Sequence, residues 1–382
     1  MDEFSNAITS LWWDAENCRL PRDAKASNIV PNIASNLAAI GLTGPLSMYI
    51  YGNIRPHVDH NNNRKGFTTK QHMDLFASSC VSLQHVPGDN NRADSADKRM
   101  ILDMMDWAYH HSPPANYVII SGDGDFSYAV HNLRMMRYKV VIIQPKVAAN
   151  TLVASTQTVW KWNDFVDRVP RSVNPMNLKT PPSLNRTYDI KGIEYTTSPI
   201  FICWDVGSFP VPDNLNPQDV SLNIDLALSR IQLKGRLYFH CYGCSNSTTY
   251  DRRQILLNTG IEQHEISKDL KTADKISFAK LLLWSLDHHP PASYVVISND
   301  LDLWIALSRL KEKGYNIMAV QDQQPCPLLV SKLATKIWEW SVLCKGGVPL
   351  TKEEVASQHP KPKTQVSKKQ NVGDSSLWVA RQ

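Results

Sequence analysis

The chain has 382 residues, 42% of them hydrophobic and 20% charged, which suits two or three ordinary globular domains and excludes a fibrous or low-complexity protein. No run of 18 apolar residues is present, so no membrane-spanning helix is expected, and the acidic start Met1–Ser10 predicts no secretory signal. The net charge of +5 argues little for nucleic acid by itself: the segment 345–382 holds seven Lys and Arg against three Asp and Glu, four of those five charges.

In chain order the first element is a short strand, Leu11–Asp14, ending in an acid. Within Pro21–Ile40, Ile29, Ile33, Leu37 and Ile40 recur at helical spacing. After the breakers Gly41–Pro45 a second strand, Leu46–Tyr51, stops at Gly52-Asn53. The polar stretch His57–Lys70 reads as a loop, Gln71–Ser79 as a short helix and Val81–Val86 as a third strand. Asp97–His111 is an amphipathic helix with Met100, Ile101, Met104, Met105 and Ala108 on one face. Tyr117–Ile120 is an unbroken apolar strand that gives way to Ser121-Gly122-Asp123-Gly124-Asp125-Phe126. A helix over Tyr128–Met136, a strand over Tyr138–Gln144 and a last helix over Leu152–Phe165 follow.

After a Pro-rich linker the order repeats: strand Phe201–Asp205, helix Val220–Leu233, strand Leu237–Tyr242, helix Asp274–His288, strand Tyr294–Ile297, helix Leu303–Lys311, strand Tyr315–Val320 and a final helix ending in Trp338-Glu339-Trp340. Asp14 and Gly52 recur 191 residues later as Asp205 and Gly243, and Asp97 and Asp123 recur 177 residues later as Asp274 and Asp300. The chain is therefore a tandem duplication. Strands alternating with helices predict an α/β fold, a mostly parallel sheet flanked by helices in each half. The expected division is a first domain over 8–168, a linker over 169–197, a second domain over 198–344 and a basic disordered tail over 345–382.

Acids stand at three separate strand or helix ends of the first half: Asp14, Asp94 with Asp97, and Asp123 with Asp125. In a parallel sheet these ends share one edge, where open α/β sheets bind ligands. Any one Asp is explained as a helix N-cap. The set, repeated in register in both halves, is not, and carboxylates that close repel one another unless a cation such as Mg²⁺ or Mn²⁺ joins them. Such ions activate water and stabilise phosphoryl transition states.

Three stretches, Trp13-Asp14-Ala15-Glu16-Asn17, Ala96-Asp97-Lys98-Arg99-Met100 and Ser121–Phe126, resemble the signatures of the NYN family, within the PIN-like group of metal-dependent ribonucleases. The duplicated arrangement, with Pro113-Pro114-Ala115 and Pro290-Pro291-Ala292 before the last motif, resembles the tandem limkain-b1 (meiosis regulator and mRNA stability factor) type in a plant-like form. The resemblance implies two PIN-like domains and an endoribonuclease that takes single-stranded RNA in RNA turnover and gene regulation. It implies one or two Mg²⁺ or Mn²⁺ ions on Asp14, Asp97, Asp123 and Asp125, with Asn17 orienting the Asp14 end. Asp94 has no counterpart in the family pattern and reads as a solvated acid. The second half keeps Asp205, Asp274, Asp300 and Asp302, but Ser208, Asn299 and Leu301 stand where Asn17, Gly122 and Gly124 stood. A second, weak or inactive site that holds RNA is expected there.

The segment with Arg55, His57, His60, Arg64, Lys65 and Lys70 is the local basic cluster of the first half and a candidate RNA-contacting flap. Cys241 and Cys244 make a CxxC without a partner pair, so packed thiols are expected rather than zinc. The odd count of seven cysteines favours reduced thiols in an intracellular compartment. The family resemblance adds a peroxisomal location to a cytoplasmic one, but the ending Ala380-Arg381-Gln382 is not the usual peroxisomal signal. His110-His111 and His288-His289 suit helix C-termini, and the Trp160/Trp162 and Trp338/Trp340 pairs read as core rather than as base-stacking platforms. The competing readings are a catalytically inactive RNA-binding or scaffold protein with relic acids, and a Mg²⁺ phosphohydrolase for small molecules. The second fits poorly, because Glu16 stands where an Asp-x-Asp pattern would need its second acid.

Overall fold

A computed structural model describes residues 2–358 except 21–23, 59–63, 87–94, 168–178, 180–193, 244–261, 264–269 and 323. In the first half, strands β1 (Thr9–Asp14) and β2 (Leu46–Gly52) are followed by two short antiparallel strands, β3 (His57–Val58) and β4 (Arg64–Lys65). Then come β5 (Val81–His85), β6 (Asn116–Ile120), β7 (Lys139–Gln144) and β8 (Thr158–Lys161). Helices α1 (Ala26–Ala39), α2 (Thr69–Phe76), α3 (Ser95–His110), α4 (Ser127–Met135), α5 (Asn150–Ala154) and α6 (Trp162–Asp167) lie between them. The six sheet strands pair entirely in parallel, in the order β5-β2-β1-β6-β7-β8.

The second half repeats this with β9 (Ile200–Asp205), β10 (Leu237–Tyr242), β11 (Glu262–Gln263), β12 (Ser293–Ile297), β13 (Asn316–Gln321) and β14 (Lys336–Glu339) in the order β11-β10-β9-β12-β13-β14. Its helices are α7 (Pro217–Arg230), α8 (Leu270–Asp287), α9 (Leu301–Glu312), α10 (Leu328–Leu333), α11 (Trp340–Leu343) and α12 (Lys352–Gln358). Counted along each sheet, this is the doubly wound order 3-2-1-4-5-6, whose direction reverses between the first and fourth strands. That reversal, between β1 and β6 and between β9 and β12, is where open sheets of this order place their ligand crevice, at the carboxyl ends of the strands.

Strands covered on both faces must be apolar on both, which explains the continuous hydrophobic runs. Trp12 of β1 points into one cluster while its neighbours Leu11 and Trp13 point into another, as the period of two requires. The outer clusters belong to one half each, with α1 and α6 on the first sheet and α7 and α11 on the second. The inner cluster is shared: Met104, Ile119 and Leu133 of the first half and Leu282, Tyr294 and Leu307 of the second belong to one continuous core. The halves meet through α3 and α8.

Several expectations are corrected. The stretch His57–Lys70 is not simply a loop, since β3, β4 and the start of α2 lie in it. The last helix of each half is interrupted by a sixth strand, β8 or β14, because Val159 and Ile337 pair with the sheet at positions where an uninterrupted helix would leave its edge open. The segment after Cys344 is not all tail: Leu350 donates its N–H to Ile337 O, and Leu350 and Val355 pack on the shared core. Residues 359–382 and most of the linker lie outside the described residues.

Candidate active site at the switch point

Asp14 ends β1, level with Tyr51 of β2, and on the other side Trp13 is level with Ile120, so Ser121 emerges beside Asp14. The carboxylate is 2% exposed and divides its oxygens. Oδ1 accepts the N–H groups of Glu16 (3.0 Å) and Asn17 (3.1 Å). Oδ2 accepts from Asn17 Nδ2 (2.6 Å) and Ser121 Oγ (2.8 Å). The same Ser121 hydroxyl accepts from Asp123 N–H at 3.1 Å and so ties the ends of β1 and β6 together. Asp123 caps the short turn Gly124–Phe126 through Oδ1, which accepts Asp125 N–H at 3.0 Å. Capping and site-building are thus not alternatives here: the oxygen that caps fixes the carboxylate plane and leaves the other oxygen turned to the crevice.

Asp97 sits in the first turn of α3. Its Oδ2, the Oδ2 of Asp125 and the Oδ2 of Asp123 converge on one ammonium, Lys275 Nζ, at 2.7, 2.7 and 3.5 Å. Lys275 belongs to α8 of the other half and is 2% exposed. Burial pushes the Asp97 carboxyl up to about 7, the charge of Asp14 adds to this, and Lys275 opposes it. Asp14 is likewise raised, by burial against the hydrogen bonds of Asn17, Ser121 and Glu16. Lys275 is held protonated by Asp97, Asp125 and Asp123 against its own burial. Asp97 therefore binds its proton more tightly when folded than when unfolded. The stabilisation it gives is full below about pH 4 and is lost as pH rises through 7. Asp97→Asn should flatten the fall in the urea midpoint between pH 4 and 7; an unchanged profile would remove Asp97 as its source.

The donor chemistry fits a hard divalent ion, being all oxygen, buried at Asp14 and Asp97, half-buried at Asp123 and Asp125, and short of countercharge. The placement serves an ammonium instead: among the described residues, no three His, Cys, Asp or Glu side chains are grouped to hold one ion.

The second half keeps the frame and loses the link. Asp205 Oδ1 accepts the N–H groups of Gly207 (3.0 Å) and Ser208 (3.2 Å), and Ser208 offers no amide to match Asn17. Ser298 Oγ accepts from Asp300 N–H at 3.1 Å but takes its other hydrogen bond from Tyr242, at 2.9 Å. Asp300 Oδ2 and Asp302 Oδ2 lie 2.7 and 3.3 Å from Lys98 Nζ of the first half. Asp274 lies in α8, but its side chain is outside the described residues, as is Asp94.

The glycines of Ser121–Phe126 are required by close packing. A Cβ on Gly122 would lie 2.7 Å from Pro145 Cγ, and one on Gly124 2.7 Å from Thr151 Oγ1. They let the β7–α5 connection close over the turn. Neither has a left-handed backbone, and neither does Asn299, which stands in the place of Gly122. Positive φ is needed instead at Gly52 (+131°), where a Cβ would strike Glu16 Cγ at 2.7 Å.

Beside Asp14 a cleft of about 390 Å³ is lined by Glu16, Arg19, Asn53, His57, Lys65 and Phe67 among others. Arg55 and Lys70 are exposed nearby in sequence, and the side chain of Arg64 and all of His60 are outside the described residues. Trp162, Trp338 and Trp340 are core, whereas Trp160 is 39% exposed. Cys241 is a buried thiol in β10, in no disulfide among the described residues. Sequence reasoning assigned no role to Ser121, Lys275 and Lys98. The repeated Ala96-Asp97-Lys98 and Ala273-Asp274-Lys275 carried the signal for the lysines, but their targets lie in the opposite half.

The family model of the NYN domain matches residues 8–162 and 199–333. No curated protein matches the chain. Among solved structures, one provisionally assigned as a UDP-N-acetylglucosamine 2-epimerase from Listeria monocytogenes aligns over 89% of this chain and 86% of its own, at 9% identity and a TM-score of 0.23. A likeness that low carries no argument.

Proposed function

Because the chain belongs to the NYN domain family, we propose that it is an endoribonuclease that hydrolyses single-stranded RNA at the crevice of its first half, in RNA turnover and the regulation of gene expression. The observation that carries this is the convergence of Asp97, Asp123 and Asp125 on one cation beside the buried Asp14, at the switch point of a doubly wound sheet. On this reading Asp14, Asp97, Asp123 and Asp125 would hold Mg²⁺ or Mn²⁺, which would supply an activated water and charge stabilisation at the phosphate. Asn17 and Ser121 hold the Asp14 carboxylate in one orientation, Asp123 is held by the turn it caps, and Asp125 lies within that turn. The second half, without the Asn17 amide and the Ser121–Asp14 link, serves to hold RNA and to complete the fold. The test is cleavage of single-stranded RNA by the full chain with and without Mn²⁺. Metal-independent binding with no cleavage would instead make this an RNA-binding protein with relic acids.

The cleft beside Asp14 gives the RNA path. Arg19, His57 and Lys65 on its wall, with Arg55 and Lys70 close in sequence, suit backbone phosphates. Replacing Arg55, Lys65 and Lys70 together by Gln should weaken RNA binding and reduce the slope of log affinity against log salt by roughly 2, at about 0.7 per phosphate contact for single strands. An unchanged slope would mean that this segment does not touch RNA.

A further inference from the structure

The cation in the first acid cluster is supplied by the other half, and the arrangement is reciprocal. Lys98 follows Asp97 near the start of α3, and Lys275 follows Asp274 near the start of α8, 177 residues later. Because α3 and α8 pack against each other, each lysine passes its own cluster and reaches the opposite one. Lys275 Nζ lies 2.7 Å from both Asp97 and Asp125, and Lys98 Nζ lies 2.7 Å from Asp300 and 3.3 Å from Asp302. The crossing is kept in the second half even though that half lacks the Asn17 amide and the Ser121–Asp14 hydrogen bond.

The seat matters more than the pairing. Lys275 takes the crevice-facing Oδ2 atoms of Asp97, Asp123 and Asp125, while Asp123 Oδ1 is spent on the turn. Mg²⁺ binds carboxylate oxygens at about 2.0–2.1 Å. An ion on these same oxygens would stand within a few ångströms of the ammonium, where like charges repel strongly. One positive charge also leaves three carboxylates under-neutralised, and a divalent ion would reduce that deficit. The two cations therefore exclude each other from one set of oxygens.

We propose that Lys275 is an interdomain gate: it closes the first-half acid cluster in the metal-free protein, and a divalent ion enters only by displacing it, so that metal uptake is coupled to the α3–α8 interface. This rests on reading the cluster as a divalent-ion site, and the test separates the two. Full-length wild type, Lys275→Met and Lys275→Arg are titrated with Mn²⁺ by calorimetry. The Met variant should bind Mn²⁺ on the order of tenfold more tightly than wild type, a usual size for coupling between sites, whereas the Arg variant should stay weak. In wild type, which needs no substitution to fold, acetylation of Lys275 followed by peptide mass spectrometry should be slow without metal and several-fold faster at saturating Mn²⁺. The labelling result decides if the Met variant does not fold. Equal affinity in wild type and the Met variant, or labelling unmoved by Mn²⁺ that does bind, overturns the gate and leaves the metal site. Absence of Mn²⁺ binding to wild type and variants alike overturns both.

Discussion

Asp123→Asn and Asp14→Asn should each lower RNA cleavage by the full chain at least about a hundredfold, the upper end of the roughly 10–100-fold that an outer partner of a metal site costs. The reason is positional as well as electrostatic. Asp14 gathers Glu16, Asn17 and Ser121 at the end of β1, and Asp123 is tied to the same serine at the end of β6. An amide in either place keeps the size of the side chain but carries no charge and places an NH₂ where an acceptor oxygen is needed. The fold should survive, because a buried carboxyl whose burial opposes its charge is relieved by neutralisation. Asp205→Asn is the control within the same chain, expected to leave cleavage largely intact, since the second half lacks the Asn17 amide and the Ser121–Asp14 link. Wild-type turnover from both first-half variants would end the assignment of the site. Loss of activity from Asp205→Asn alone would move it to the second half.

Asp103→Ala should destabilise the whole chain by about 3–5 kcal/mol, the cost of removing one partner from a buried ion pair. Asp103 is fully buried in α3. It accepts from Tyr51 OH at 2.8 Å, from Arg99 Nε at 2.9 Å and from the guanidinium of Arg309 in the second half. Without the carboxylate, Arg309 is left charged at an interface where its side chain is 11% exposed. Urea unfolding should show the shift in both halves together, because the inner core runs through both. Asp103→Met with Arg309→Met should recover most of the loss, as replacement of a buried pair by apolar groups often does. A change under about 1 kcal/mol, within the range of a surface pair, would mean that the halves do not depend on this contact. The shared core also means that a half expressed alone would expose an apolar face, so comparisons between the halves belong in the full chain.

Much of this protein can be read along the chain. Short apolar runs of β-branched residues gave the strands, and a run that is apolar at every position must be covered on both faces. The duplication was visible because Asp14, Gly52, Asp97 and Asp123 recur at constant offsets. Asp14, Asp97 and Asp123 could be placed at one sheet edge because parallel strands all end on the same side. The sixth strand of each half was not legible: Thr158–Lys161 is short and runs directly into α6, so its local pattern matches a helix as well as an edge strand. The purpose of Gly122 and Gly124 was not legible for a related reason. Their neighbours, Pro145 and Thr151, arrive from another connection, and no local periodicity announces what will pack against a missing side chain.

The sequence by itself determined the two halves, their α/β class and the acids at their strand ends, because these depend on side-chain period and on turns between residues near each other in the chain. Only the tertiary structure decided which cation meets those acids. Lys275 stands 152 residues beyond Asp123, and its ammonium reaches the first-half cluster through the packing of α3 on α8. That contact is set by the inner faces of two sheets seeking one shared core, a long-range requirement: the repeated Ala-Asp-Lys marks the two lysines but not the half that each one reaches.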